Sequence, residues 1–364
     1  MIVPRSAAPA SARHKTVVIA DDSAVVRGLF ARWLGEAGNA HVVAVAGDGE
    51  TALAHAARFK PDVLILDLDM PGLDAASALP RILRESPQTS VLLAATLNEH
   101  NTRLALECMT KGAMDVVSKP PSRTGMTLSL DFRSEFLLKL GNIAQPEPAP
   151  ERSPDPGQGQ AGLRALVWAT PRYLLIGAST GGPRAVARVL FDIGDALADI
   201  TTLVVQHMPP LFTASFAEQV TSQVGAPARE PCDGERLARG VVYIAPGGRH
   251  LGIDRRLGHL VARVDDGPPV NFCRPAVDVL FNDAARHLGA AALGLVLTGM
   301  GSDGTEGAAA LRQAGAAVIA QDERSSTIWG MPGSVVRARH ASAVTPLDEI
   351  GGAIRALLRG GSPA

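Results

Sequence analysis

A serine, a histidine and an aspartate in the second half of this chain have the types and settings that hydrolysis requires. They stand in Gly177-Ala178-Ser179-Thr180-Gly181-Gly182, Gln206-His207-Met208-Pro209 and Gly299-Met300-Gly301-Ser302-Asp303-Gly304, each after an apolar run of strand length. Hydroxyl, imidazole and carboxylate are the nucleophile, base and orienter of acyl transfer. Ser179 needs His207 to take its proton, and His207 needs a carboxylate to fix its tautomer and stabilise the imidazolium. Gly181, Gly182 and Pro183 start a helix directly behind the serine, where proline suits the first helical position. Free N–H groups and the dipole at such a start suit an oxyanion. The order Ser, His, Asp departs from those of the common hydrolase folds, and no Gly-x-Ser-x-Gly elbow is present.

Taken singly, each residue has a blander reading. The glycine-rich turn is more often a phosphate or dinucleotide loop, His207 a satisfied strand-end histidine, and Asp303 an N-cap for the following helix. No Gly-Lys-Ser/Thr follows the loop, and Asp199 is the nearest candidate for the acidic partner of a dinucleotide site. All three at equivalent strand ends favour the relay, because open α/β sheets gather ligands and catalytic groups along the carboxyl edge.

A second constellation lies in the first half. Asp21 and Asp22 follow the first predicted strand, Asp67 the third and Lys119 the fifth. Carboxylates crowded in one pocket favour a hard divalent cation such as Mg²⁺. The Lys119 ammonium would neutralise an incoming phosphoryl group, with Asp67 as its acceptor. In isolation, Asp21 and Asp22 would read as caps for the helix from Ser23, and Asp67 as turn chemistry.

The elements that must position these groups alternate. Thr16–Ala20, Val42–Ala46, Val63–Leu66, Val91–Ala95 and Met114–Ser118 read as strands. Helices are expected near Ala24–Ala37, Glu50–Phe59, Ala75–Arg84, Glu99–Met109 and Arg133–Ile143. Continuously apolar strands between helices imply a parallel sheet covered on both faces. Gln145–Gly162, with five prolines and three glycines, cannot bury a core and reads as a linker. A second alternation follows. Its strands are expected at Tyr173–Ile176, Thr202–Val205, Val241–Ile244, Leu293–Leu297 and Ala317–Ala320. Its helices are expected near Arg184–Leu190, Leu211–Val220, Val277–His287 and Glu306–Gln313, with an antiparallel flap at His250–Ile253 and His259–Val264.

Composition narrows the partners. A net charge of -1 and 4% aromatics argue against nucleic acid and acidic membranes. Three scattered cysteines, Cys108, Cys232 and Cys273, suggest reduced thiols rather than a disulfide framework. With no apolar leader in Met1–His14 and no run of about 18 apolar residues, a cytoplasmic chain without membrane insertion is expected.

Gly177–Pro183, Val205–Pro209, Arg274–Phe281 and Gly299–Gly304, with Ala320–Glu323 and Gly330–Pro332, resemble the chemotaxis protein-glutamate methylesterases over residues 171–358. Residues 15–143 resemble response-regulator receiver domains on Asp21, Asp22, Asp67-x-x-Met70-Pro71 and Lys119-Pro120. The resemblance implies two doubly wound parallel-sheet α/β domains: a flavodoxin-like receiver (15–143), a Pro/Gly-rich linker (144–170) and a methylesterase domain (171–358) with a small antiparallel flap. It makes Ser179, His207 and Asp303 the triad, with the backbone near Thr180 and Met300 beside the oxyanion. It makes Asp67 the site phosphorylated by a chemotaxis histidine kinase, with Mg²⁺ on Asp21, Asp22 and Asp67, Lys119 on the phosphoryl group, and no cofactor for the ester reaction. A cis Lys119–Pro120 bond would also fit. The implied substrates are methylated glutamates, and certain glutamines, on chemoreceptor helices. In the unphosphorylated state the receiver would cover the rim carrying Ser179. A non-enzymatic module whose second domain docks a partner is the alternative. Three departures stand out: Ala75 where a glycine at positive φ is expected, Val116 where an aromatic is expected, and Ala95 or Thr96 where a Ser/Thr is expected.

Overall fold

The computed structural model describes residues 14–38, 40–96, 98–119, 130–143 and 170–359. The expected linker and the Lys119–Pro120 bond, through Pro120, lie outside these residues. Two compact units make up the chain.

The first sheet contains β1 (Lys15–Ala20), β2 (Ala40–Ala46), β3 (Val63–Asp67), β4 (Ser90–Thr96) and β5 (Asp115–Lys119), in the order β2-β1-β3-β4-β5. Every residue of β3 is buried, as a central parallel strand between helical layers requires. The helices are α1 (Ala24–Ala37), α2 (Gly49–Phe59), α3 (Ala75–Glu85), α4 (Glu99–Thr110) and α5 (Leu130–Ile143). Ser23, Asp48, Asp74 and Asn98 cap the first four by accepting a backbone N–H. Ser23 rather than Asp21 or Asp22 therefore caps α1, while Asp21 Oδ1 accepts the Ser23 N–H at 2.9 Å and its other oxygen remains for Lys119. Phe30 of α1 stacks on Phe136 of α5 with centroids 4.5 Å apart, closing one side of the core. The positive φ expected at Ala75 falls instead on Gly72 (φ 80°), so Ala75 begins α3 without strain.

The second sheet has seven parallel strands in the order β14-β13-β12-β6-β7-β9-β8. Its strands are β6 (Tyr173–Ala178), β7 (Thr201–Gln206), β8 (Ala228–Arg229), β9 (Val242–Ile244), β12 (Ala292–Val296), β13 (Ala317–Gln321) and β14 (Ala343–Thr345). Its helices are α6 (Gly182–Ile193), α7 (Phe212–Val224), α8 (Val277–His287), α9 (Thr305–Gln313), α10 (Met331–Arg337) and α11 (Leu347–Leu358). The edge strands β8 and β14 and helices α10 and α11 were not expected from the sequence. The flap is a separate antiparallel pair, β10 (His250–Arg256) with β11 (His259–Asp265). Asp283 of α8 ties it down, accepting from Ile253 N at 3.2 Å and pairing with Arg263. The chain leaves β6 toward β7 on one side and returns to β12 on the other. The three strands at this switch point carry the loops of interest.

Candidate active site

Register places two of the three groups side by side. Ala178 of β6 pairs with Gln206 of β7, so Ser179 and His207, each the next residue, leave adjacent strand ends together. His207 N donates to Ala178 O at 3.0 Å, and buried Gln206 donates its side-chain amide to Ser179 O at 2.8 Å, fixing both turns. Asp303 reaches the site differently from the strand-end position expected. It lies seven residues beyond β12 and two before the start of α9, and its carboxylate turns to the N-terminus of α8. Oδ2 accepts from Val277 N at 2.6 Å and meets His207 Nε2 at 2.8 Å. Oδ1 accepts from Asp278 N at 3.1 Å, Gly304 N at 3.0 Å and Asn271 Nδ2 at 3.2 Å. A carboxylate at a helix N-terminus with this many donors stays ionised.

Two glycines make the assembly possible. A Cβ on Gly177 would sit 2.5 Å from Val277 Cγ1, so only glycine lets the start of α8 close onto β6. A Cβ on Gly299 would lie 2.9 Å from Ser179 Cβ. The loop after β12 therefore passes directly against the serine, with Thr180 and Met300 as chain neighbours of the two contact points.

Burial alone would lower the His207 pKa. Hydrogen bonds to Asp303 and Cys273, with the charges of both, outweigh it and raise the ring from 6.5 to about 10. Burial pushes Asp303 upward, but the His207 hydrogen bond and charge, with the Val277 and Asp278 N–H groups, hold it below the usual carboxylate value. Burial raises neighbouring Asp278 to about 6, with the Asp303 charge adding to the rise. The environments push the two carboxyls apart, and Asp303 keeps the negative charge.

Sequence reasoning did not place Cys273 here. Val270 and Cys273 exchange backbone hydrogen bonds (2.8 and 3.1 Å) around Asn271 and Phe272, both at positive φ (52° and 61°). This turn sets Cys273 Sγ 3.6 Å from His207 Nδ1. Nδ1 thus contacts Cys273 rather than Ser179, a looseness common before substrate tightens a site. Asn271, bonded to both Asp278 and Asp303, is a further member the sequence did not reveal. The helix start behind Ser179 also differs from expectation. Gly182 N is already bonded to Ser179 O at 2.7 Å and is not available to an oxyanion.

In the first sheet, Asp21 and Asp67 are fully buried, and Lys119 Nζ lies 3.1 Å from Asp21 and 2.6 Å from Asp67. Carboxylate oxygens of Asp21, Asp22 and Asp67 lie within 4.8 Å of one another, and buried Asp67 Oδ2 has no hydrogen-bond partner. Burial raises the Asp67 pKa, with Lys119 offsetting part of the rise. A buried carboxylate oxygen without a partner, on one of three clustered carboxylates, fits a hard divalent cation.

Residues 174–354 match the CheB methylesterase family, and residues 17–130 match the response regulator receiver domain. A protein-glutamate methylesterase/protein-glutamine glutaminase of Rhodopseudomonas palustris (strain BisB5) is 41% identical, over 92% of both chains. The chain belongs to the CheB methylesterase family. A similarly named member from Nitrobacter hamburgensis is 39% identical, over 92% of this chain and 91% of its own. The crystal structure of the Thermotoga maritima CheB methylesterase catalytic domain covers 52% of this chain and all of that one, at 36% identity and a TM-score of 0.50. Among the described residues, no helix of this family member is long and apolar enough to cross a membrane.

Proposed function

We propose that this chain is a phosphorylation-gated hydrolase of chemotaxis adaptation. It removes methyl esters from chemoreceptor glutamates, releasing methanol, and deamidates receptor glutamines. The domains are the receiver (15–143), the linker (144–170) and the methylesterase domain (171–358). The chief support is the buried carboxylate of Asp303 holding His207 Nε2 beside the loop that carries Ser179.

With Nε2–H committed to Asp303, Nδ1 carries the lone pair. Ser179 Oγ attacks the ester carbonyl while Nδ1 takes its proton. The imidazolium is stabilised by Asp303 and then protonates the departing methoxide or, for glutamine, the departing amide nitrogen, which leaves as ammonia. Water repeats the sequence on the acyl-serine, with His207 again the base. The loops bearing Thr180 and Met300 flank the carbonyl and supply backbone donors to the oxyanion. No cofactor enters these steps.

In the receiver, Asp21, Asp22 and Asp67 would hold Mg²⁺, which would neutralise charge as phosphate is transferred. Asp67 accepts the phosphoryl group from a chemotaxis histidine kinase, and the Lys119 ammonium pairs with it. A coupling of about 1.4 kcal/mol between phosphorylation and the competent state gives a tenfold activation.

Methanol release from methylated receptor, measured with and without a small phosphodonor plus Mg²⁺, tests the proposal. Ser179→Ala should abolish release, and Asp67→Asn should remove only the stimulation. Unchanged release by Ser179→Ala would favour the non-enzymatic docking module.

A further inference from the structure

We propose that Cys273 and His207 form a binding site for a thiophilic divalent cation, Zn²⁺ first among them, with Asp303 orienting the imidazole from its far side. One donor atom from each of these residues lies within 4.8 Å of the other two. The Cys273 Sγ to His207 Nδ1 distance is 3.6 Å. Tetrahedral zinc, with bonds of about 2.3 Å to sulfur and about 2.05 Å to nitrogen, spans an S···N edge of about 3.6 Å. The two donors already stand at the spacing a bridging ion requires.

The group that orients the ligating ring is also in place. His207 Nε2 faces the buried Asp303 carboxylate at 2.8 Å, which leaves Nδ1 as the ligand nitrogen. A carboxylate behind a ligating imidazole is what fixes ring orientation and raises basicity in zinc sites. The turn around Asn271 and Phe272 holds Cys273 partly exposed, so solvent can complete the coordination sphere. On binding, the Cys273 thiol and His207 Nδ1 both give up their protons to solvent as the S–Zn and N–Zn bonds form. Two protein ligands are fewer than a closed structural centre uses, which makes occupancy reversible. A soft thiolate discriminates against Mg²⁺, whose place is the all-oxygen cluster of Asp21, Asp22 and Asp67. The bound cation takes the Nδ1 lone pair that the Ser179 proton needs, so turnover stops. That consequence rests on the proposed function, whereas the binding does not.

The test uses the full chain, stripped of metal, with excess Mg²⁺ present to occupy the carboxylate cluster. Cys232→Ser, which removes the exposed thiol, serves as the background. Co²⁺ should bind with a thiolate-to-metal charge-transfer band that Zn²⁺ displaces, and Cys273→Ser should abolish the band. On the unsubstituted chain, Zn²⁺ should slow iodoacetamide labelling of Cys273 at least tenfold and leave Cys232 labelling unchanged. This second readout stands even if Cys273→Ser folds poorly. Saturating Zn²⁺ should suppress methanol release by the unsubstituted chain, and the ratio of rates with and without Zn²⁺ should return to one in Cys273→Ser. No charge-transfer band, a band that survives Cys273→Ser, or unprotected Cys273 would each overturn the site. Binding and protection without loss of methanol release would uphold the site and overturn His207 as the base.

Discussion

Replacing Asp303 by asparagine separates the charge of the carboxylate from its shape. The carboxylate has two oxygens and five donors around it. Oδ2 serves His207 Nε2 and Val277 N; Oδ1 serves Asp278 N, Gly304 N and Asn271 Nδ2. An amide has one oxygen. Turned toward His207, it would leave Asp278 N–H, Gly304 N–H and the Asn271 side-chain N–H facing an NH₂ group, at about 1–3 kcal/mol for each unsatisfied donor. Turned toward Asp278 and Gly304, it leaves only Val277 N–H unsatisfied, so this orientation wins by about two such penalties. The NH₂ group then donates to His207 Nε2 and drives the ring proton to Nδ1, the atom that must accept from Ser179. The expected outcome is a stability loss of about 1–3 kcal/mol in chemical denaturation. The kcat for methanol release should fall about 10⁴-fold, the size of effect a wrong tautomer produces in a serine protease. The ¹⁵N shifts of the His207 ring would report the swap directly. A folded Asp303→Asn protein within tenfold of the unsubstituted kcat would refute this account of the relay.

Because the His207 pKa is raised from 6.5 to about 10, its stabilising contribution is complete below pH 6.5 and is lost as pH rises through about 10. Esterase activity needs the neutral ring and should climb over the same interval. Cys273→Ala removes two of the raising influences, so a pH–rate profile should show its rising limb displaced toward acid. Lys119→Met leaves Asp21 and Asp67 buried without their cation. Denaturation should show a loss of about 3–5 kcal/mol, recovered in part by Mg²⁺. Gly177→Ala drives a Cβ to within 2.5 Å of Val277 Cγ1 and should cost about 1–3 kcal/mol and much of the activity. Adding Val277→Ala should restore both, as measured by melting and methanol release.

The sequence was most legible where local signals were strong. The helices expected at Ala24–Ala37 and Val277–His287 match the structure to the residue. Strands β8 and β14, of two and three residues, are too short to show a period. Ser179 and His207 were legible because each follows its strand directly. Asp303 was legible by type but not by place, since donors at the start of α8 draw it away from the strand end. Cys273 was not legible at all. Its contact with His207 spans 66 positions and depends on a turn whose residues, Asn271 and Phe272, carry no glycine to announce positive φ.

One carboxylate pins the loop before α9, the first turn of α8 and the imidazole after β7. Cohesion of that corner and catalysis are consequently one property. A molecule whose rim has begun to fray falls silent before it can act on the wrong substrate, and heat should extinguish turnover no later than it melts the surrounding fold.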